Sequence, residues 1–442
     1  MSNNYAILTT MKRFFRTIVI ALLTLEARAV LKKYKPRIVG VAGSVGKTNI
    51  KEAIATVLES NYRVHRSTGS YNSEFGVPLS ILQCESGWDN PWLWMRVLLE
   101  GLGLIFFPNT YPEWLVLELG VDHPGDMQKL IHWLTLDVAV LSRVGDLPAH
   151  VEFFDSPAKV VQEKSRILDG LKKDGVFVRL ADDPAISAIG ESAANLVTFG
   201  YHRDAHVRAT HERVQYTGGR GSKYPKGFSF KIEHTSGTYP VKLEGVFGAG
   251  ATYACLAAFA VANSIGIKSE SIIRHLERFE GMPGRLRIIE GNKKSVIIDD
   301  TYNSSPAALA LALGHLHELK YTKRKIAVLG DMLELGAYTI EAHREAGSVA
   351  AEIVDILYLV GSRMKFAKEE ALASGMAEDD VHWFATAKEA GRILEQDIVL
   401  GDVILVKGSQ GMRMELVVEE IMAEPDRAHG LLARQSKVWK RR

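Results

Sequence analysis

Residues 37–48, Arg37-Ile38-Val39-Gly40-Val41-Ala42-Gly43-Ser44-Val45-Gly46-Lys47-Thr48, decide the fold. Pro36 punctuates the chain just before them. Arg37–Ala42 is a short apolar run that predicts a buried strand, and Asn49–Leu58 has the apolar spacing of a helix. Strand, Gly-rich turn and helix open a βαβ unit. Backbone N–H groups of such a turn, at a helix N-terminus, cradle phosphate oxygens. A lysine there reaches the terminal phosphates, and a threonine hydroxyl binds Mg²⁺. The strict phosphate-loop spacing would place a glycine where this chain has Val41. The flanking strand and helix still favour a nucleotide site at Gly43, Ser44, Val45, Gly46, Lys47 and Thr48 over a chance Lys-Thr.

Further along, Trp114–Leu119 (WLVLEL) and Asp137–Leu141 (DVAVL) read as buried strands with a helical stretch between them. They extend the unit into a mostly parallel sheet. Glu118 closes the first of these strands, and Asp122 and His123 follow it. A carboxylate at the C-terminal end of a parallel strand beside a phosphate loop is where a magnesium ligand sits; the plainer reading is a strand-end Glu paired with an Arg. From Tyr201 to Leu243 the texture changes. Phe228–His234 (FSFKIEH) alternates apolar and polar, and Gly218, Gly219, Gly221 and Gly227 punctuate the region. This predicts a small antiparallel sheet inserted in or added to the same domain. Ala249–Ile265 is Ala-rich and helical. After Pro283-Gly284-Arg285, strands are expected at Ser295–Asp299, Lys325–Leu329, Ile356–Val360, Val381–Phe384 and Val403–Val406, with helices between them. The expected architecture is α/β: a segment 1–36, a central phosphate-loop domain 37–284, and a Rossmann-like domain 285–442. The basic tail Arg427–Arg442 reads as a solvated, partly frayed end.

At 442 residues the chain is too long for one ordinary core. Its 47% apolar and 24% charged residues are ordinary globular usage. A formal charge of +2 points to no nucleic-acid partner. Two cysteines, Cys84 and Cys255, form neither a disulfide scaffold nor a zinc site, which fits a reducing, cytoplasmic compartment. Phe14–Leu25 is apolar but too short to span a bilayer. Basic residues flank it, from Lys12 and Arg13 to Lys32, Lys33 and Lys35. It reads either as a helix packed on the domain behind it or as a basic amphipathic helix on the inner membrane surface.

Three further stretches place polar residues at strand ends: Ile298-Asp299-Asp300-Thr301-Tyr302-Asn303-Ser304-Ser305-Pro306; Ala327–Gly336 (AVLGDMLELG) with His343 beyond; and Val406–Glu415 (VKGSQGMRME). His150 and Lys164, fourteen residues apart, mean nothing by themselves.

Taken together, from about Arg37 to about Met422, these motifs resemble the Mur ligase family, most closely its MurF branch. The resemblance implies ATP-dependent amide bond formation through an acyl phosphate, joining D-Ala-D-Ala to a muramoyl peptide of peptidoglycan precursor. It implies that Lys47, Lys164 and His150 are catalytic, with Lys164 carbamylated. Thr48, Glu118, His150 and Lys164 would hold Mg²⁺. Asp300, Tyr302, Asn303 and Arg285 would join the phosphate loop in binding nucleotide, and Asn72, His123, Lys407, Ser409 and Arg413 would bind substrate. Three departures stand out. The family's N-terminal domain, which holds the UDP end of the substrate, has only about 36 residues in its place, so another chain supplies that platform or the enzyme grips only the muramoyl-peptide end. Arg166 stands where an acidic residue is common. Gly248-Ala249-Gly250-Ala251 replaces the family's Gly-x-His-Asn, so adenine-side polar contacts are absent or come from elsewhere. A Mur-like ligase with another acceptor, such as a polyglutamate synthetase or a lipid-linked precursor ligase, is the alternative enzyme. A P-loop switch or transporter motor has no use for the two C-terminal loops, and a degenerate scaffold would not retain Lys47, Thr48, Glu118 and Lys164.

Overall fold

The computed structural model describes residues 2–67, 71–87, 90–145, 151–217, 224–320, 322–435 and 439, with side chains from Arg16 onward, Pro91 excepted. Gly218, Gly219 and Gly221 lie outside the described residues.

Helix α1 runs Ser2–Tyr34, far beyond the twelve apolar residues that announced it. Proline cannot continue a helix and disfavours helical geometry just before it, so Pro36 ends α1 and Lys35 turns at φ 49°. Val19, Leu23, Ala27 and Val30 are buried at helical spacing. This face packs on α3 (Gly76–Leu82) and α4 (Pro91–Phe106) of the domain behind it, with α2 (Lys47–Leu58) deeper in the same core.

One nine-stranded sheet forms the central domain. Its strands are β1 (Arg37–Ala42), β2 (Val64–Arg66), β3 (Trp114–Glu118), β4 (Leu136–Leu141), β5 (Leu171–Leu180), β6 (Leu196–Gly200), β7 (Val207–Thr217), β8 (Tyr224–His234) and β9 (Gly237–Glu244). The order is β2-β3-β1-β4-β5-β6-β7-β8-β9. Pairing is parallel from β2 to β7 and antiparallel for β7–β8 and β8–β9. The alternating segment is therefore an extension of the parallel sheet. Phe199 pairs with Val207, and this short parallel ladder continues the sheet into the antiparallel strands. Helices α5 (Asp126–Ile131), α6 (Pro157–Ser165), α7 (Ala249–Ser264) and α8 (Ser269–Leu276) complete the domain.

The second sheet has β10 (Arg287–Glu290), β11 (Val296–Asp300), β12 (Lys325–Gly330), β13 (Ile356–Val360), β14 (Val381–Phe384) and β15 (Val403–Lys407). Their order is β10-β11-β15-β12-β13-β14, parallel throughout except β10–β11. Register sets Val41 beside Glu118 in the first sheet and both Asp300 and Leu329 beside Lys407 in the second. Each sheet thus gathers its polar loops at the C-terminal ends of its central strands, where ligands bind in open α/β sheets. Helix α9 (Pro306–Glu318) leaves the second sheet and packs back toward the first, bringing Ala307 close to Gly145.

Candidate active site

Two glycines shape the phosphate loop. Gly43 has φ 142°, and a Cβ there would lie 2.0 Å from Ser142 Oγ. Gly46 caps α2 at φ 88°, a conformation open to glycine and costly to other residues. Ser142 Oγ donates to the Val45 carbonyl at 2.9 Å, and the Ser44 and Val45 amides donate to Arg143 O. Three buried polar atoms around this loop, Ser44 Oγ, Arg143 Nε and Arg285 Nε, have no hydrogen-bond partner among the described residues. Orphaned buried donors are rare and call for a ligand or water.

Lys47 Nζ donates to Gly43 O at 2.9 Å. Burial pushes its ammonium below the usual lysine range; Glu118 opposes that shift and Arg285 adds to it. Thr48 Oγ1 donates to Glu118 Oε2 at 2.9 Å, and Asn72 Nδ2 donates to Glu118 Oε1 at 3.0 Å. Asn72 is itself fixed by Gly120, whose amide donates to Asn72 O at 2.7 Å and whose missing side chain leaves Asn72 room. Thr48, Glu118 and Asn72 therefore form one chain of oxygen-bearing groups at the ends of α2 and β3. Hard oxygen donors of this kind suit Mg²⁺, which keeps several waters and shares phosphate oxygens. From the C-terminal domain Arg285 Nη2 reaches Thr48 Oγ1 at 3.4 Å.

Lys164 is buried in the last turn of α6. Burial, helped by the charge of Lys47, lowers its pKa to about 7, against the pull of Asp122 and Glu163. Its helix is anchored by Glu163, which accepts from the Met127 amide at 3.0 Å and lies 3.4 Å from Arg166. Arg166 thus pairs with the acid one turn earlier. His123 is exposed; its ring lies 4.5 Å from Phe153, and its amide donates to Asp126. His150 lies outside the described residues.

In the second domain Lys407 Nζ donates to Asp300 Oδ2 at 2.5 Å and to Asn303 O at 2.9 Å. The ammonium expected to meet the amine substrate is buried and engaged by the carboxylate expected to meet the nucleotide. Burial raises the Asp300 carboxyl, and Lys407 pulls it back. Asp299 rises to about 6 through burial, though Thr301 and Gly284 donate to it. Ser409 Oγ accepts from the Leu333 amide at 2.9 Å, tying two motif loops together. Arg413 is likewise occupied, by Glu415 and the Trp439 carbonyl. His343 is structural: Nε2 accepts from the Met332 amide at 3.0 Å, while Nδ1 faces Thr339 O at 2.6 Å.

Sequence reading missed two residues. Arg434 is not part of a frayed end: it is buried, donates to Thr301 O, Tyr302 O and Glu415, and stacks 5.1 Å over Tyr302. Arg285 covers the same ring at 4.2 Å, so Tyr302 is flanked by two guanidinium groups. A single arginine in a basic tail gives no local signal of this contact. The other is His315 on α9, whose Nε2 accepts from the Ala249 amide at 2.8 Å. A Cβ at Gly248, where φ is 80°, would lie 2.4 Å from that imidazole. Gly248, the glycine that this segment keeps from the family pattern, thus makes room for a histidine from the other domain, while a Cβ at Gly250 would meet nothing within 4 Å. His315 borders a cavity of about 430 Å³ that Arg143, Gly145, Asp183, Ala310 and Glu318 also line.

The Mur ligase middle domain matches residues 101–262, and the Mur ligase glutamate ligase domain matches residues 284–410. The chain belongs to the Mur ligase family and is an ATP-dependent ligase. Within that family it is similar to the UDP-N-acetylmuramoyl-tripeptide--D-alanyl-D-alanine ligase of Bacillus subtilis (strain 168), at 28% identity over 400 residues, 90% of this chain and 79% of the relative. The Escherichia coli (strain K12) ligase of the same name is 26% identical, with 87% and 76% covered. Among solved structures, MurF ligase from Thermotoga maritima in complex with ADP superposes with a TM-score of 0.74 at 27% identity, covering 91% of this chain and 83% of that one.

Proposed function

We propose that this chain joins D-alanyl-D-alanine to a muramoyl peptide in peptidoglycan precursor synthesis, using ATP. The observation that carries the reading is the Thr48–Glu118–Asn72 chain beneath Lys47, with Arg285 reaching it from the second domain.

Lys47 sits where it can neutralise the β- and γ-phosphates. Phosphoryl transfer needs alignment and charge neutralisation above all. The γ-phosphoryl group passes to a carboxylate oxygen of the muramoyl peptide, and ADP leaves. The amine of D-Ala-D-Ala then attacks the acyl carbon, losing a proton as phosphate departs. Thr48 and Glu118 are the residues that would hold Mg²⁺, and Lys164 would join them; the resemblance adds His150 to that set. The bound metal supplies charge neutralisation there. A carbamate on Lys164 would turn a cation into an oxygen-bearing anion suited to that place. The cavity beside His315 takes the base of ATP, and Tyr302 with its two arginines borders the nucleotide. Asn72 and His123 line the acyl-substrate side. Lys407, Ser409 and Arg413 shape the loop that receives the amine. Closed domains keep water from the acyl phosphate. The protein works in the cytoplasm, with residues 12–35 in peripheral contact with the inner membrane face.

The test is ADP release from the purified chain with UDP-muramoyl tripeptide, comparing D-Ala-D-Ala with glutamate as the amine. Turnover only with the dipeptide is expected. Turnover only with glutamate would replace this reading by a polyglutamate synthetase-like one.

A further inference from the structure

Helix α4 is apolar on both sides. Trp94, Val97 and Gly101 face the core. Trp92, Met95, Leu99, Leu102 and Phe106 recur at steps of three and four residues and are exposed, Trp92 at 81%, Leu99 at 61% and Phe106 at 74%. That spacing draws one stripe along the helix. Phe107, also exposed, continues it. A surface helix ordinarily turns such a stripe inward, and a large exposed one marks an interaction site.

Helix α1 does the same on a smaller scale: Ile18, Leu22 and Leu25 are exposed while Val19, Leu23 and Ala27 are buried. The two helices are locked together. The Glu26 carboxylate lies against Gly101, where a Cβ would meet Oε2 at 2.1 Å. Lys33 Nζ donates to the carbonyls of Leu104, Ile105 and Phe107, capping the C-terminus of α4. Leu25 and Leu102, the sequence neighbours of the Glu26–Gly101 contact, are both exposed.

We propose that α1 and α4 together form a docking face for an anionic phospholipid bilayer. The proposal rests on the peripheral contact assigned above to residues 12–35 and adds α4 as its main apolar element. Charge selects the occupant. Residues 12–37 hold eight Lys or Arg and one acid, Glu26, whereas the whole chain is only +2, so the remainder is net acidic. Glu26 is buried and offsets little of this charge at the surface. A second copy would set one cationic cluster against another, which repels. An anionic leaflet attracts it, at about 1 kcal/mol per basic residue near the surface. Trp92, at one end of the stripe, is of the kind that settles at a membrane interface, and Phe106 and Phe107 at the other end are apolar residues usual on the buried face of an interfacial helix. No helix among the described residues is long and apolar enough to cross a membrane, so the contact is with the surface.

The experiment is vesicle flotation of the full chain. Phosphatidylcholine vesicles are compared with vesicles containing phosphatidylglycerol, at low salt and at roughly 0.5 M salt, where charge is screened within a few ångströms. Wild type should float with the anionic vesicles and largely release in salt. Trp92→Glu/Leu99→Glu/Phe106→Glu should lose binding at least tenfold while keeping its ATP turnover and thermal midpoint. Should that variant misfold, brominated lipid read in the native chain replaces it: fluorescence quenching should be seen and should drop in Trp92→Phe. If Arg28→Glu/Lys32→Glu releases the protein but the α4 variant binds like wild type, the α4 proposal falls and the contact through residues 12–35 stands. No binding by wild type sinks both. A dimer in sedimentation that the α4 variant splits, without vesicle binding, assigns the face to a second copy instead.

Discussion

Replacing Lys164 by methionine should stabilise the protein while abolishing its activity. Lys164 is 2% exposed, and burial together with Lys47 brings its pKa to about 7 from an ordinary 10.5. The sign follows from proton counting. Between those two values the unfolded chain binds a proton that the folded chain does not, so stability falls as pH drops from about 10.5 to 7 and then levels off. At about 1.36 kcal/mol per pH unit the full cost near neutrality is ~4 kcal/mol. Relaxation and water entry reduce such penalties, so we expect a net gain of roughly 2 kcal/mol for Lys164→Met. At about 2–4 °C per kcal/mol for domains of this size, the midpoint should rise by about 4–8 °C at pH 7 in CO₂-stripped buffer. The gain should fade toward pH 10, where the unfolded lysine is also losing its proton.

Carbamylation gives the same site a second readout. The neutral amine adds CO₂ and releases a proton, leaving an anion near the Lys47 ammonium. Bicarbonate should therefore raise the wild-type midpoint and leave that of Lys164→Met unchanged. Calorimetry with and without bicarbonate measures both effects, and ¹³C-labelled bicarbonate should give a carbamate resonance in wild type alone. A short carboxylic acid should partly restore ATP turnover to Lys164→Ala. A less stable Lys164→Met at pH 7, with no carbamate resonance in active wild type, would refute the reasoning.

Two further outcomes are expected. Lys47→Ala and Glu118→Ala should each lower ATP turnover by several orders of magnitude with circular dichroism unchanged, since the first removes a cation from the transferring phosphoryl group and the second a carboxylate that would hold the metal there; near-wild-type ADP release by either variant would remove the phosphate loop from the mechanism. His315→Ala should raise KM for ATP about tenfold with kcat within about threefold, as expected for loss of one buried hydrogen bond that shapes the base cavity; an unchanged KM would place the base elsewhere.

The β1–loop–α2 unit was legible because its signals are local. Apolar runs, glycines at positions needing positive φ and a helix start lie within 22 residues of sequence. Strands Ile356–Val360 and Val381–Phe384 fall where the alternation put them, for the same reason. What sequence could not give is pairing at a distance. The alternating segment looks self-contained because period two reports which face is buried, not which strand lies alongside; only the Phe199–Val207 ladder makes it part of the large sheet. Helix α4 gives no sequence signal, since a run apolar on both sides lacks the contrast that marks an amphipathic helix. Arg434 and His315 act across 133 and 66 residues of chain. Lys407 is a similar case. Its motif marks it as a site residue, but the partner of its ammonium, Asp300, is visible only once β11 and β15 are neighbours.

The electrostatics of the site tie these placements together. Lys47, Lys164, Arg143 and Arg285 gather around a loop whose nearby acids are chiefly Glu118 and Asp122. Lys47 depresses Lys164, and Arg285 depresses Lys47, so the cations already work against one another in the absence of anion. Two of the four, Arg143 and Arg285, also keep an unsatisfied Nε. A pocket in that condition gains most from a ligand with several negative charges, because each repulsion becomes an attraction and each orphaned donor acquires an acceptor. The second domain brings its share of the charge through Arg285, so the same anion that relieves the strain also favours the closed arrangement. On the proposed reading, nucleotide binding and domain closure would be one electrostatic event, and the carboxylate substrate would enter a site whose oxygen ligands would be Glu118 and a carbamate on Lys164.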